Sequence, residues 1–379
     1  MSNRDQPKSV AIVGAGIAGA ACAASLQRSG TKVVLFDKSR GVGGRMATRR
    51  AHWEDLRGVQ RVSDIDHGTP HFSAMRPRFR ALMTRAAAAG HASAWRPYTH
   101  ATWPAPATRH GFVAVPDMPA LCRHILAEVP MQLGLSVQRL HRRDNGWQLS
   151  LSDGSTTGPF DAVLLAMPAP QAALLLAGHQ DEWADALAAV RMAACWTLMA
   201  ITSDVDWPWD AAVPDSGVLQ WVERNDRKPG RNLVQGHATW VAHAAADWSA
   251  AHLEDDPAAV AATLSAALGE LMPYLQPVSW QHRSVHRWRY AMPADSALDS
   301  GECSWDAGLG LGVCGDHFGT PTVEGAWRSG DELADTVAAC FDVEMEAADA
   351  AAVADASVQA AFAGASRGHA DALATQTVG

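Results

Sequence analysis

At 379 residues the chain exceeds one ordinary domain, and 48% hydrophobic with 19% charged residues is the balance of a globular protein with a sizeable core. A formal net charge of −9 and a pI near 5.9 argue against nucleic acid or an anionic membrane surface as a partner. The N-terminus is polar, no apolar run is long enough to span a bilayer, and the six scattered cysteines look like reduced core thiols, so a cytoplasmic location is expected.

The first patterned stretch, Ser9 to Gly19, is an apolar run that breaks at Gly14, Gly16 and Gly19 and continues as a helix. It reads as a dinucleotide-binding strand, turn and helix. Gly14 permits the tight turn, Gly16 lets the backbone approach a pyrophosphate, and Gly19 lets the helix pack on the strand. Ile17 and Ala18 stand at the helix start, where free amides and a partial positive charge suit a phosphate. The helix is expected to run to about residue 29, with Gly30 as its cap. A second apolar strand over 32–36 then ends in Asp37, at the distance where a carboxylate takes the ribose hydroxyls of an adenosine.

Lys38 follows, and then a second glycine-rich turn of Gly41, Gly43 and Gly44 leads directly into Arg45, whose planar guanidinium suits a phosphate or ribose edge. Nicotinamide dehydrogenases have no need of this element. On these residues the sequence resembles the flavin amine oxidase group, and the stretch 36–46 is most similar to the renalase-type branch. The resemblance implies an α/β fold in which a Rossmann-like FAD-binding domain is interleaved with an α+β substrate domain, as in the hydroxybenzoate-hydroxylase and amine-oxidase architectures. It also implies FAD as the resident cofactor.

Residues 47–61 are polar and arginine-rich without a clear period. Renalase-like proteins carry an Asp-x-Gly-x-x-x-Phe element next, running past the flavin ring; Asp66, Gly68 and Phe72 keep it, which makes Gly68 and Thr69 candidate flavin contacts. Thr69, Pro70 and His71 depart from the small and amide residues of that pattern. His67 and His71 have no acidic or thiol partner placed to complete a metal site, and no metal is expected. A helix over 77–89 places Phe79, Leu82, Met83 and Ala86 on one face, and the proline-rich stretch 95–106 reads as a crossing between domains. A helix after 117, with Asp117 as its expected N-cap, returns the chain to the cofactor domain.

Strands over 133–140 and 146–151, joined at Asp144-Asn145-Gly146, form an expected hairpin, and the resemblance implies that Val137 meets the adenine through its backbone. A buried parallel strand over 160–168 then crosses to the second domain. That domain is expected to hold a helix over 180–190, strands over 195–202, 218–222 and 232–241, and a helix begun by Asp256 and Pro257. The segment Trp240 to Ser249 resembles a Trp-Val-x-His segment of bacterial renalase-like enzymes. His243 is therefore the candidate substrate-side residue, with a hydrogen-bonded structural histidine at a strand end as the equal alternative.

Trp288 and Arg289, on a strand that resembles one feeding the active-site edge, are further candidates for facing a ligand; outward arginines on a plain strand is the competing reading. A strand ending at Gly315 and Asp316, followed by a helix starting at Val323, Glu324, Gly325 and Ala326, forms the third cofactor element. The resemblance assigns the acid to the ribityl or pyrophosphate region and the helix start to the flavin N1 and C2 carbonyl, where partial positive charge raises electron affinity. Fifteen tryptophans against three tyrosines suit core and interface packing, with some lining a flat site.

The expected division is 1–75, 111–170 and 282–343 for the FAD-binding domain, 76–110 and 171–281 for the substrate domain, and an alanine-rich tail at 344–379. The implied activity is hydride transfer from a small donor, such as an isomeric dihydronicotinamide, to flavin N5, with oxygen as acceptor. Amine oxidation and a non-catalytic flavin or nucleotide sensor are the alternatives.

Overall fold

A computed structural model describes residues 7–101, 111–215, 217–272, 278–294 and 301–343. The alanine-rich tail and the second half of the proline-rich crossing lie outside these residues. The first sheet has six strands in the spatial order Ser304–Asp306, Leu311–Val313, Ala162–Leu165, Ser9–Val13, Lys32–Asp37 and Met131–Leu133. Its inner strands run parallel, and both faces are covered, which is why they read as unbroken apolar runs. Val10, Ile12 and Leu164 pack with Ala20, Ala23 and Leu26 of the helix Ile17–Arg28, while Ala11, Val13, Val163 and Leu165 pack against Trp147, Leu149 and Leu176 on the other side. A helix over 323–343 also lies against the first helix, with Gly330 letting the two backbones touch: a Cβ there would sit 2.0 Å from the Ala18 carbonyl oxygen.

The second sheet orders Trp280–Pro293, Met192–Ser203, His237–Ala244, Leu219–Arg224, Ala211–Val213 and Thr99–Ala101. One face, with Trp196, Leu198, Val222, Trp240 and Ala242, is covered by Val260, Leu264 and Leu268 of the helix Pro257–Glu270. That helix starts where expected, its first amides at Ala258 and Ala259 donating to the Asp256 carboxylate. Part of the opposite face, at Met199, Ile201 and Val241, is covered by Ala51, Trp53 and Ile65. The rest of that face is turned toward the first domain.

Several boundaries differ from expectation. The polar run after Arg45 is an antiparallel hairpin, Thr48–Glu54 with Gln60–Asp66; its alternating Ala51 and Trp53 are the inward face, masked in sequence by the charged residues between them. The Asp144-Asn145 turn is present, but its first strand is Val137–Arg143 and not 133–140, because Met131–Leu133 is spent as an edge strand of the parallel sheet. Asp117 does not cap a helix. Its carboxylate takes Arg123 at 2.6 Å, and the helix Ala120–Ile125 is entered from Pro119. The strand expected over 232–241 begins only at His237, so that His243 lies inside it. Finally, 280–293, assigned from sequence mostly to the cofactor domain, pairs along its length with Met192–Ser203 and is the edge strand of the second sheet.

Candidate active site

Between the carboxyl ends of the parallel strands and the uncovered face of the second sheet lies a cavity of about 1760 Å³. This exceeds the roughly 300–1,000 Å³ of a pocket for one drug-sized ligand. At one end, Gly14, Gly16, Ile17 and Ala18 line it beside Asp37 and Lys38. Gly14 has φ +117°, and a Cβ on it would meet the Ala166 carbonyl oxygen at 2.2 Å, so only glycine can make this turn. A Cβ on Gly16, by contrast, would meet no protein atom within 4 Å and would project into space beside the helix start. That space fits a pyrophosphate, and the observation supports a bound dinucleotide independently of any motif.

The Asp37 carboxylate accepts hydrogen bonds from the Ala15 amide and the Ser39 amide, both at 2.7 Å, which fixes it at the cavity wall. The Gly43 amide donates to the Ala15 carbonyl at 2.8 Å, tying the second glycine turn to the first and setting Gly44 and Arg45 beside Gly16. Val137 lines the same end, next to Leu135, whose amide donates to the Asp37 carbonyl at 3.0 Å.

Gly68, Thr69, Gly315, Asp316, Val323 and Ala326 line the middle of the cavity. Arg45 spans it, donating two 2.7 Å hydrogen bonds to the Asp316 carboxylate and a third, at 3.1 Å, to the Ala291 carbonyl. One guanidinium thus joins the second and third of these glycine elements to the edge strand of the second sheet. Three of the expected site residues lie off the cavity. Glu324 turns back to accept the amides of Met75 and Arg76, the latter at 2.6 Å. Gly19 and Gly325 act in backbone packing, since a Cβ on either would sit 1.9 Å from the carbonyl oxygen of Gly14 or Thr320.

The uncovered face of the second sheet carries a row of side chains in direct register: His286 opposite Thr197, Thr197 opposite His243, and His243 opposite Trp221. Directly paired residues point to the same face, and His286, Thr197 and His243 all line the cavity. The next row adds Trp288 and Cys195. Trp288 stacks on His67 with centroids 5.3 Å apart and donates its indole N–H to the His67 carbonyl at 2.9 Å. Arg289 reaches the cavity rim but is held by Glu254, as is Arg287.

The imidazoles of this wall are neutral. Burial lowers His243 to about 4, with Lys228 adding to the effect; the same two causes lower His71 to about 4. Burial, then His286 and Arg49, lowers His67 to about 3. The Nε2 of His243 and the Nδ1 of His71 are buried with no hydrogen-bond partner among the described residues, so each presents an unspent polar atom. Behind them the carboxylates are already engaged. Lys228 bonds to Glu223 and, at 3.2 Å, to Asp66, while Arg231 takes Asp66 at 2.7 Å, all four side chains being fully buried.

His243 and Trp288 are thus brought together at the cavity, whereas the Arg289 charge is spent on Glu254. Thr197, Cys195, Gln220, His71 and His286 also line the cavity and were not expected as site residues. The row in which Thr197 and His286 stand depends on strand register, for which no local signal exists.

The sequence profile of an NAD(P)-binding Rossmann-like domain matches residues 12–86, and that of flavin containing amine oxidoreductase matches residues 83–338. The chain belongs to the flavin-containing amine oxidoreductase family. Its resident cofactor is accordingly a flavin, and the glycine cradle at Gly16 fits the dinucleotide form. Among solved structures, this flavin-containing oxidoreductase is similar to a protein described as a protoporphyrinogen oxidase from Exiguobacterium sp. 255-15, with a TM-score of 0.64 and 11% identity over 89% of this chain and 99% of that one. It is also similar to a triple mutant of putrescine oxidase, with a TM-score of 0.62 and 15% identity over 88% and 99%. Wild-type putrescine oxidase bound to putrescine matches with a TM-score of 0.55 at 14% identity over 88% and 99%. At these identities the likeness is one of fold. No helix among the described residues is long and apolar enough to cross a membrane.

Proposed function

We propose that this oxidoreductase is an FAD-dependent oxidase that takes a hydride from a small planar donor, an isomeric dihydronicotinamide of the renalase-like kind, with oxygen as the final acceptor. The observation that carries this reading is the chemistry of the substrate wall. Its His286, Thr197, His243 and Trp288 offer neutral hydrogen-bonding groups and ring faces, and the nearby carboxylates Asp66, Glu223 and Glu254 are each held by a cation. A dihydropyridine that gives up a hydride becomes an aromatic cation and needs no base, so such a wall has only to orient it.

FAD, when bound, supplies the two-electron acceptor at its N5. Gly14, Gly16, Ile17 and Ala18 would hold its pyrophosphate, Asp37 and Lys38 its adenosine ribose, and Val137 its adenine. Gly44, Arg45, Gly68, Thr69, Gly315 and Asp316 would hold the ribityl and ring portions. The start of the helix over 323–343, at Val323 and Ala326, presents amide dipoles whose partial positive charge favours an electron-rich ring. His243, on the cavity wall, would contact the donor and help to orient it.

Amine oxidation is the second reading, favoured by the family match itself. Anaerobic titration of the flavin spectrum against a panel of reduced nicotinamides and amines separates the two. Bleaching by an isomeric dihydronicotinamide, reversed by air, is the expected result. Bleaching by amines alone would establish amine oxidation, and bleaching by neither would point to a flavin-binding sensor.

A further inference from the structure

The hairpin and the edge strand bring together Arg49, which the reading above leaves unused, and His286 of the cavity wall. Arg49, on the inward face of Thr48–Glu54, donates from its guanidinium to Nδ1 of His286 at 3.0 Å. No carboxylate lies within ion-pair distance of Arg49 among the described residues, so this imidazole is its one hydrogen-bonded partner there. His286 lines the cavity, with its ring set edge-on to His67 at 4.8 Å and to Trp288 at 4.3 Å, and its Nε2 has no partner among the described residues.

A guanidinium has only donors to offer, and a neutral imidazole has one donor and one acceptor. With Nδ1 accepting from Arg49, the ring proton must reside on Nε2. We propose that Arg49 fixes His286 as a permanent hydrogen-bond donor into the cavity, and that the pair selects substrates bearing an acyl oxygen, such as a carboxamide or carboxylate, on the planar ring.

Three features make the arrangement persistent. The charged groups facing His286 are Arg49 from the hairpin and, when protonated, His67 from the following turn; both oppose a positive imidazole. Burial and Arg49 lower His286 to about 4, so the neutral ring is the form present near neutrality. Thr197 and Trp288, its neighbours on the sheet, carry no charge that would reverse this. An alkylammonium, itself only a donor, would set N–H against N–H at this point. Arg49 is thus a positioning residue acting through His286. The inference shares the site of the proposed hydride transfer and rests on that reading for the ring the acyl group is attached to, but the demand for an acceptor comes from the Arg49–His286 pair.

The test uses the flavin-loaded protein. With ¹⁵N-labelled histidine, the His286 signal, assigned through its loss in His286→Gln, is expected in the Nε2–H form across about pH 5.5 to 9. Arg49→Ala should release it to mixed tautomers that titrate nearer the ordinary value of about 6.5, and Arg49→Lys, another obligate donor, should restore it. A protonated or Nδ1–H ring at neutral pH in the unsubstituted protein would overturn the proposal. Two redox-inert probes, nicotinamide and 3-methylpyridine, then report the preference through perturbation of the flavin absorption. Nicotinamide should bind roughly 10-fold tighter, in keeping with one added hydrogen bond. The gap should close in His286→Leu and narrow in Arg49→Ala. Equal binding of the two probes, or a preference that survives His286→Leu, refutes the selection. If the preference is present but no dihydropyridine bleaches the flavin, the hydride-transfer reading fails and the acceptor selection stands.

Discussion

The carboxylate of Asp37 accepts a 2.7 Å hydrogen bond from the amide of Ala15, so the acid that ends the second strand is fastened to the turn that ends the first. This bond sets the end of the second strand and the first glycine turn as one unit.

Gly16→Val should abolish cofactor binding while leaving the fold intact, because a Cβ there meets no protein atom within 4 Å and the branched side chain would project into the space where a pyrophosphate would approach. Gly19→Ala should do the reverse damage. Its Cβ would lie 1.9 Å from the Gly14 carbonyl oxygen, and relieving that overlap costs on the order of 1–3 kcal/mol or more of stability. Flavin absorbance after denaturation, together with urea melts of the cofactor-free proteins, checks both. A full flavin complement in Gly16→Val would remove the basis for placing the dinucleotide here.

The contrast between what was and was not legible in the sequence follows from range. Gly14, Gly16, Gly19 and Asp37 lie within one strand-helix-strand unit, and their roles are set by local backbone geometry, so spacing alone reveals them. The row of His286, Thr197 and His243 belongs to three strands far apart in the chain, and a one-residue slip in any pairing would turn its side chain to the other face. Glu324 shows the same limit on a helix: the start was visible, but its rotation, which aims this carboxylate at the amides of Met75 and Arg76, was not. The hairpin that delivers Arg49 was hidden because its inward period is carried by few apolar residues, Ala51, Trp53 and Ile65, among arginines and acids.

Asp66→Asn should be among the most destabilising single substitutions in the protein. The carboxylate lies between Lys228 and Arg231, all fully buried, and its loss leaves two cations with only Glu223 to balance them. Breaking such a group from one side typically costs about 3–5 kcal/mol. Burial raises the Asp66 pKa, but Lys228 and Arg231 outweigh it and the net direction is down. A depressed carboxyl contributes its stability above the ordinary value of about 3.9 and loses it as pH falls through the folded value. The penalty of Asp66→Asn, measured by urea denaturation, should therefore be constant from about pH 5 to 8. A penalty below about 1 kcal/mol would show that the cations find other partners.

A different set of groups governs mild acid. His71, His243, His286 and His317 are each lowered to about 4 and His67 to about 3, with burial the largest cause in every case. Histidines with folded values below the unfolded one bind fewer protons in the native state. Their full stability is present above about pH 6.5, and each gives up as much as roughly 1.4 kcal/mol per pH unit as the solution is acidified toward the folded value. Stability should thus fall steeply between about pH 6.5 and 4, before Asp66 begins to titrate. His317→Phe is the sharpest check, because both ring nitrogens of His317 are buried without partners among the described residues. It should flatten the slope by about one proton, and an unchanged slope would mean that His317 is protonated in the native protein.

His243→Ala tests the substrate wall directly. His243 lines the cavity, its Nε2 is buried without a hydrogen-bond partner among the described residues, and burial with Lys228 nearby lowers the ring to about 4, so the neutral imidazole is the form present from about pH 6 to 9. On the proposed reading its contribution is an orienting contact. The variant should keep its flavin and reduce more slowly under anaerobic conditions by roughly 10- to 100-fold, equivalent to about 1.4–2.7 kcal/mol of lost transition-state stabilisation. With a dihydronicotinamide donor, the rates of both the unsubstituted protein and the variant should vary little between about pH 6 and 9. An amine donor behaves otherwise, since its nitrogen must be neutral before transfer and the rate climbs with pH. Stopped-flow flavin bleaching across this window distinguishes the cases. An unchanged rate in His243→Ala would make His243 structural, and a steep rise with pH, seen with amines and not with dihydropyridines, would transfer the assignment to amine oxidation.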